Sequence, residues 1–141
     1  MPREVLIEDE FLRDGLQGEA KALSLDEKVS IARALADCGV ARIQVGSFVH
    51  PKRVPNMADT DELFARLGSY GNAVFSALAL NMKGVERAIA ANVPHLSMSV
   101  SASETHSRDN TGKTVAEARA NILPMIDRAI ASGIAVRAGI Q

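Results

Sequence analysis

Leu12-Arg13-Asp14-Gly15-Leu16-Gln17 lies between a short apolar run, Val5-Leu6-Ile7, and an amphipathic segment that starts near Leu25. An arginine and an aspartate side by side at the end of a strand, with glycine directly after, is unusual placement for two charges. In parallel α/β sheets, ligands and chemistry collect at the C-terminal ends of the strands. The pair therefore marks where a site should form, and Gly15 marks where the chain turns out of the sheet. The strand leading into it reads as Val5 to Leu12. Its later part is acidic, Glu8-Asp9-Glu10, which is awkward for a strand buried on both faces. Either these residues approach solvent, or one of them, with Asp9 favoured, belongs to a polar site at the strand end.

Working outward, the next element is a helix with a clear start. Ser24-Leu25-Asp26-Glu27 fits a capping box. Leu25, Val29, Ala32 and Ala36 then recur at helical spacing, and Gly39 is the natural stop. Arg42-Ile43-Gln44-Val45 begins a second strand. A long proline-stiffened segment, Gly46 to Met57, leads to a helix through Leu63, Phe64 and Leu67, capped by Asp59 or Thr60 and ended by Gly68. Val74 to Leu80 is a third strand, apolar enough to be buried on both faces. Asn81 caps a short helix through Val85, Ala88 and Ile89, which Pro94 breaks. His95 to Val100 alternates Leu96, Met98 and Val100 with Ser97 and Ser99 as a fourth strand. A polar loop, Ser101 to Lys113, precedes a second capping box at Thr114-Val115-Ala116-Glu117. The helix it opens contains Pro124, for which a kink or a break is expected, since an interior proline costs about 3 kcal/mol. Gly133 ends it, and Ile134 to Ile140 forms a fifth strand.

Strict alternation of strands and helices means a parallel sheet with crossover helices. The loops are asymmetric. Connections after helices are short, while those after strands one, two and four are long, so the long loops gather at one end of the sheet. That end is the functional face of a (β/α)₈ barrel. An open doubly wound sheet is the alternative, but Gly15-Leu16-Gln17-Gly18 lacks the G-x-G-x-x-G phosphate turn. The fold class is thus α/β, a partial TIM (β/α)₈ barrel. A full barrel needs eight units and about 250 residues; residues 1–141 supply about four and a half, read as one N-terminal half-barrel domain.

Composition narrows the function. With 16 basic and 17 acidic side chains, the net charge of −1 gives no reason to invoke nucleic acid or a membrane surface as partner. No apolar run approaches the roughly 18 residues of a membrane span. The single cysteine, Cys38, read as a core residue, excludes an internal disulfide and suits a reducing compartment. A cytoplasmic location is the expectation.

Two stretches carry a resemblance to a known family. Asp9 to Gln17 resembles the R-D-G-x-Q first-strand signature of the metal-dependent TIM-barrel carbon–carbon lyases and synthases, the pyruvate carboxyltransferase-type domains. Ser47-Phe48-Val49-His50-Pro51-Lys52-Arg53-Val54-Pro55-Asn56-Met57-Ala58-Asp59 is similar to S-F-V-S-P-K-x-V-P-Q-M-x-D of the 3-hydroxy-3-methylglutaryl-CoA lyase branch. The loop from Ser101 to Asn110 also looks like the family's. The resemblance implies a divalent cation, Mg²⁺ or Mn²⁺, which takes oxygen ligands and polarises substrate oxygens. Asp14 matches a metal ligand, and Arg13 matches the arginine that stabilises enolate-like charge. Gln17, Gln44, Ser47, Glu104 and His106 are the substrate-binding candidates, with an acyl-CoA as substrate. His50 reads as a solvated loop residue, and Lys52 and Arg53 as solvated basic residues able to attract CoA phosphates.

At Gln44 the sequence departs from the lyase branch, which carries glutamate there. A glutamine keeps the hydrogen bonds but neither holds a negative charge nor takes a proton. The family's remaining ligands, a His-x-His pair and an asparagine, belong to later strands not present in this sequence. The expectation is a lyase half that is inactive alone and completed by a C-terminal half-barrel. The alternatives are a non-catalytic half-barrel that pairs with a second copy, and a Claisen-type synthase.

Overall fold

The computed structural model describes residues 5–141. Five parallel strands run in the order β1-β2-β3-β4-β5: Glu8–Asp9, Arg42–Ser47, Val74–Leu78, His95–Val100 and Ala135–Ile140. Each crossover moves one place in the same direction. A doubly wound sheet reverses its strand order; this sheet does not, so it is a partial TIM barrel. The crossover helices are α1 (Leu25–Asp37), α2 (Thr60–Leu67), α3 (Met82–Ala90), α4 (Glu104–Thr111) and α5 (Val115–Ala131).

The strands sort their residues by face. Ile43, Val45, Phe75, Ala77, Leu96 and Met98 are buried and belong to one apolar cluster with helix residues such as Val29, Leu63, Val85 and Met125. Gln44, Ser76 and Ser97 alternate with them and make polar contacts on the concave side, Gln44 donating to Ser97 and Ser76 to Glu8. Burying the apolar face drives the fold, and the polar face is left free to carry a site.

The local starts and stops follow the sequence signals. Both capping boxes form, Ser24 with Glu27 and Thr114 with Glu117, and the Asn81 side chain accepts from Gly84 N at 2.9 Å. The two box glutamates are hydrogen-bonded in their charged form, which holds both carboxyls below their ordinary range.

Five expectations are corrected. β1 covers only Glu8–Asp9, paired to Arg42 and Ile43; Val5, Leu6 and Ile7 are exposed because no described element covers them, and Phe11–Gly15 winds into a π-helical turn. The polar loop contains α4, capped by the Ser103 hydroxyl and stopped at Gly112 (φ 72°). Only Ser107 of α4 is buried, so no apolar periodicity betrayed it. Of the kink or break expected at Pro124, the break does not occur, since α5 runs through it from Val115 to Ala131. The proline's side is exposed, as is Ala120 one turn earlier, so the carbonyl it leaves unpaired can be hydrated while Ile122, Met125 and Ala129 hold the buried face. Asp59 sits at the N-cap of α2 without capping it, because its carboxylate is engaged by Lys28. Cys38 is exposed, since it falls at the C-cap of α1 beyond the last buried turn.

Candidate active site

The turn after β1 is built on one carbonyl. Glu10 O accepts from Arg13 N at 3.2 Å, Asp14 N at 2.7 Å and Gly15 N at 3.3 Å. Leu12 and Leu16 are buried and anchor the turn, while the side chains between them face the open end of the sheet. Gly15 fits because a Cβ there would meet the Phe11 ring at 2.9 Å.

Arg13 is held on all sides. Its Nε donates to Gln44 Oε1 at 2.5 Å, its Nη1 to Asp14 Oδ1 at 2.7 Å, and its Nη2 to Glu10 Oε2. Gln44 is fully buried and donates from Nε2 to Ser97 Oγ at 3.0 Å. The guanidinium is thus fixed by a path that runs from β1 through β2 to β4. Its side chain is 14 % exposed, whereas that of Asp14 is 70 % exposed. Asp14 therefore keeps an accessible carboxylate beside an immobilised cation.

These residues border a cleft of about 900 Å³, together with Gln17, Arg53 and Lys113. One wall is the segment after β2, whose shape has three separate supports. Arg87 donates to Val49 O at 3.2 Å and lies 5.3 Å from the centre of the Phe48 ring. Lys28, almost wholly buried, donates to Asn56 O at 2.6 Å and to Asp59 Oδ1 at 2.7 Å. Asn56 in turn donates to Leu16 O and Glu19 O, both at 2.8 Å, which joins this wall to the turn bearing Arg13. His50 borders the cleft from an exposed position, its Nδ1 accepting from Lys52 N at 3.2 Å.

The structure gathers Arg13, Asp14, Gln17 and Gln44 around the cleft and leaves Ser47, Glu104 and His106 off its lining. Ser47 is buried, with a hydroxyl that has no partner among the described residues. Glu104 accepts from Val115 N at 3.3 Å and thereby joins α4 to α5. His106 is exposed, with Nδ1 2.9 Å from Ser101 Oγ. The acid chosen at the end of β1 is corrected as well. Asp9 accepts from Phe11 N at 3.0 Å, a local turn contact, while Glu8 and Glu10 make the long-range contacts with Arg137, at 2.7 and 2.9 Å.

Arg137, Ser97 and Lys113 were missed as site residues. The available signal was positional: Arg137 is a lone charge in an apolar strand, and Ser97 sits in the polar phase of an alternating one. His95 opens β4 in the same phase, buried, with Nδ1 unpaired among the described residues. Burial and the charge of Arg42 hold its imidazole below the ordinary range, with Glu8 opposing and Arg137 adding to the effect.

A hard divalent cation needs several oxygen ligands. Among the described residues no group of three or more His, Cys, Asp or Glu gathers to hold a metal. Asp14 alone does not complete such a site.

Residues 4–141 match the HMGL-like family. The chain belongs to that family. It is 32% identical over its whole length to the 3-hydroxy-3-isohexenylglutaryl-CoA/hydroxymethylglutaryl-CoA lyase of Pseudomonas aeruginosa, of which it covers 47%. Among solved structures, the HMG-CoA lyase of Brucella melitensis superposes with a TM-score of 0.92 at 38% identity, over 99% of this chain and 49% of that one. An HMG-CoA lyase from Acinetobacter baumannii, in complex with coenzyme A and 3-methylmalate, superposes with a TM-score of 0.88 at 30% identity, over 96% of this chain and 44% of that one. This HMGL-like chain therefore spans under half the length of the relatives it matches. No described helix is long and apolar enough to cross a membrane.

Proposed function

We propose that this chain is the N-terminal half-barrel of a carbon–carbon lyase of the hydroxymethylglutaryl-CoA lyase type, acting on an acyl-CoA. The observation that carries this reading is the fixed Arg13 guanidinium beside the open Asp14 carboxylate at the edge of the cleft. Cleaving a carbon–carbon bond next to a thioester develops enolate charge on the thioester oxygen. A guanidinium locked in place by Gln44 and Glu10 meets that charge without reorganising, which is where electrostatic catalysis gains most. The family is divalent-metal dependent, and a bound cation would supply Lewis-acid polarisation of substrate oxygens. Asp14 is the ligand offered among the described residues, and on this reading the remaining ligands come from the other half of the barrel. Gln17 borders the cleft, and its amide is assigned to orienting polar groups of the substrate.

The test joins this chain in frame to the C-terminal half of the Brucella melitensis lyase. The fusion should cleave hydroxymethylglutaryl-CoA in the presence of Mg²⁺ or Mn²⁺, and Arg13→Gln should abolish the cleavage. A folded fusion that binds Mn²⁺ and yet cleaves no acyl-CoA overturns the reading.

The edge strands support a second reading, in which two copies pair into a non-catalytic barrel. Leu6 and Ile7 next to β1 are exposed, and Ile140 of β5 is 80% exposed. Sedimentation of the chain alone separates the two, since a monodisperse dimer that binds no metal favours the paired module.

A further inference from the structure

Arg137 lies on β5, four strands away from β1 in the sheet order, and its guanidinium nevertheless reaches Glu8 of β1 and Glu10 at the start of the Arg13 turn. Nη1 donates to Glu8 Oε2 at 2.7 Å and Nη2 to Glu10 Oε1 at 2.9 Å. The contact therefore crosses the concave face as a chord. Glu10 divides its carboxylate between two arginines: one oxygen accepts from Arg137 and the other from Arg13. Glu8 is shared differently, between Arg137, Ser76 at 3.1 Å and, at 3.6 Å, Arg42. It makes no hydrogen bond or ion pair with Arg13, whose polar partners are Gln44, Asp14 and Glu10.

We propose that Arg137 is a positioning residue for Arg13, acting through Glu10. Two fixed points orient a planar guanidinium better than one. Gln44 fixes Arg13 through Nε from the sheet side. Glu10 fixes Nη2 from the other side, and a glutamate side chain has three rotatable bonds unless its far oxygen is held. Arg137 holds that oxygen. The planar fork of arginine suits the task, because one side chain grips Glu8 and Glu10 at once, which a lysine ammonium on a flexible stem does less well. The side chain of Arg137 is 45% exposed, so its ion pairs are screened and contribute little to stability. Its position is better explained by orientation than by stability. The importance of this for catalysis rests on the proposed role of Arg13, but the geometry does not.

The test is NMR of the 141-residue chain itself, reading the Arg13 Nε–H resonance and the rotation of its Nη groups. Glu10→Gln and Arg137→Gln should both move the Arg13 Nε shift. Glu10→Gln should speed Nη rotation severalfold, because the amide oxygen still accepts but without the charge that makes the bond roughly twice as strong, and Arg137→Gln by a smaller factor in the same direction. Arg137→Lys should recover part of the effect. Glu8→Gln removes the other half of the chord and should leave Arg13 unmoved. An Arg13 signature unchanged in a folded Arg137→Gln chain overturns the proposal. So does a signature that moves equally in Glu8→Gln, because the chord would then act only by holding β5 against β1. If Arg137→Gln does not fold, Arg137→Lys and Glu10→Gln carry the same comparison. An inactive fusion with an intact Arg137-to-Arg13 coupling would count against the lyase reading alone.

Discussion

The side-chain oxygen of Gln44 accepts from Arg13 Nε at 2.5 Å while its amide nitrogen donates to Ser97 Oγ at 3.0 Å. A buried amide with both ends occupied is a fixed object, and the cation it holds is fixed with it. Truncating it strands two polar groups. Gln44→Ala should cost about 2 kcal/mol and lower the melting temperature by roughly 6–10 °C. Gln44→Glu keeps the acceptor for Arg13 and adds charge beside it, and its second oxygen accepts from the Ser97 hydroxyl in place of the lost donation, so it should be the milder change. Thermal unfolding of the two variants checks this, and an undisturbed Gln44→Ala protein would remove the support claimed for Arg13.

Gly84 packs α3 against the segment after β2. A Cβ there would lie 2.7 Å from Phe48 O, a backbone atom that cannot swing away. Alanine normally gains about 1 kcal/mol over glycine in a helix. Here an overpacking cost of about 1–3 kcal/mol opposes that gain. Gly84→Ala should therefore destabilise the chain in urea unfolding, and a stabilised variant would show that the close approach relaxes freely.

Lys28 is 3% exposed and gives its ammonium to Asn56 O and Asp59. Lys28→Met leaves a carboxylate and a carbonyl unpaired behind the wall of the cleft. The loss should be about 3 kcal/mol. Because Asn56 also holds Leu16 and Glu19, amide exchange should quicken at residues 16–19 as well as at 56–59. Faster exchange confined to 56–59 would mean that the two loops are independent.

His95 sets a pH dependence with a definite sign. Its folded imidazole resists protonation because it is buried beside Arg42, so its folded pKa is depressed. As pH falls through about 6.5, the unfolded chain takes up a proton that the native chain refuses. Stability is then lost on acidification, by no more than about 1.4 kcal/mol per pH unit, until the folded pKa is reached. Above pH 7 the residue contributes no pH dependence. Urea unfolding at pH 7.5 and 5.5 should show a smaller acid loss for His95→Gln than for the native chain. Equal losses would place the titrating group elsewhere.

Much of the fold was legible from short-range signals. Ser24 with Glu27, Thr114 with Glu117, and Asn81 start helices because a cap and its partner lie within one turn. The alternation of β2 to β5 with crossover helices, the long loops at one end, and the place of Arg13-Asp14 on the functional side of the first strand were also readable, although the pair sits in the turn after β1 and not on the strand. What sequence alone misjudged lacked such a local signal. α4 is polar all round, and the extent of β1 depends on what pairs with it. Whether Asp9 or its neighbours turn inward depends on the phase of a two-residue strand.

By itself, then, the sequence determined the half-barrel and the location of the Arg13-Asp14 pair, because caps, periodicity and glycine stops act over a few residues. Only the tertiary structure decided which groups hold Arg13. Gln44 is 31 positions away in the chain from Arg13, and Arg137 is 127 from Glu10. The first contact needs β1 paired with β2, and the second exists only once the sheet brings β5 and the β1 turn to face each other across the concave side.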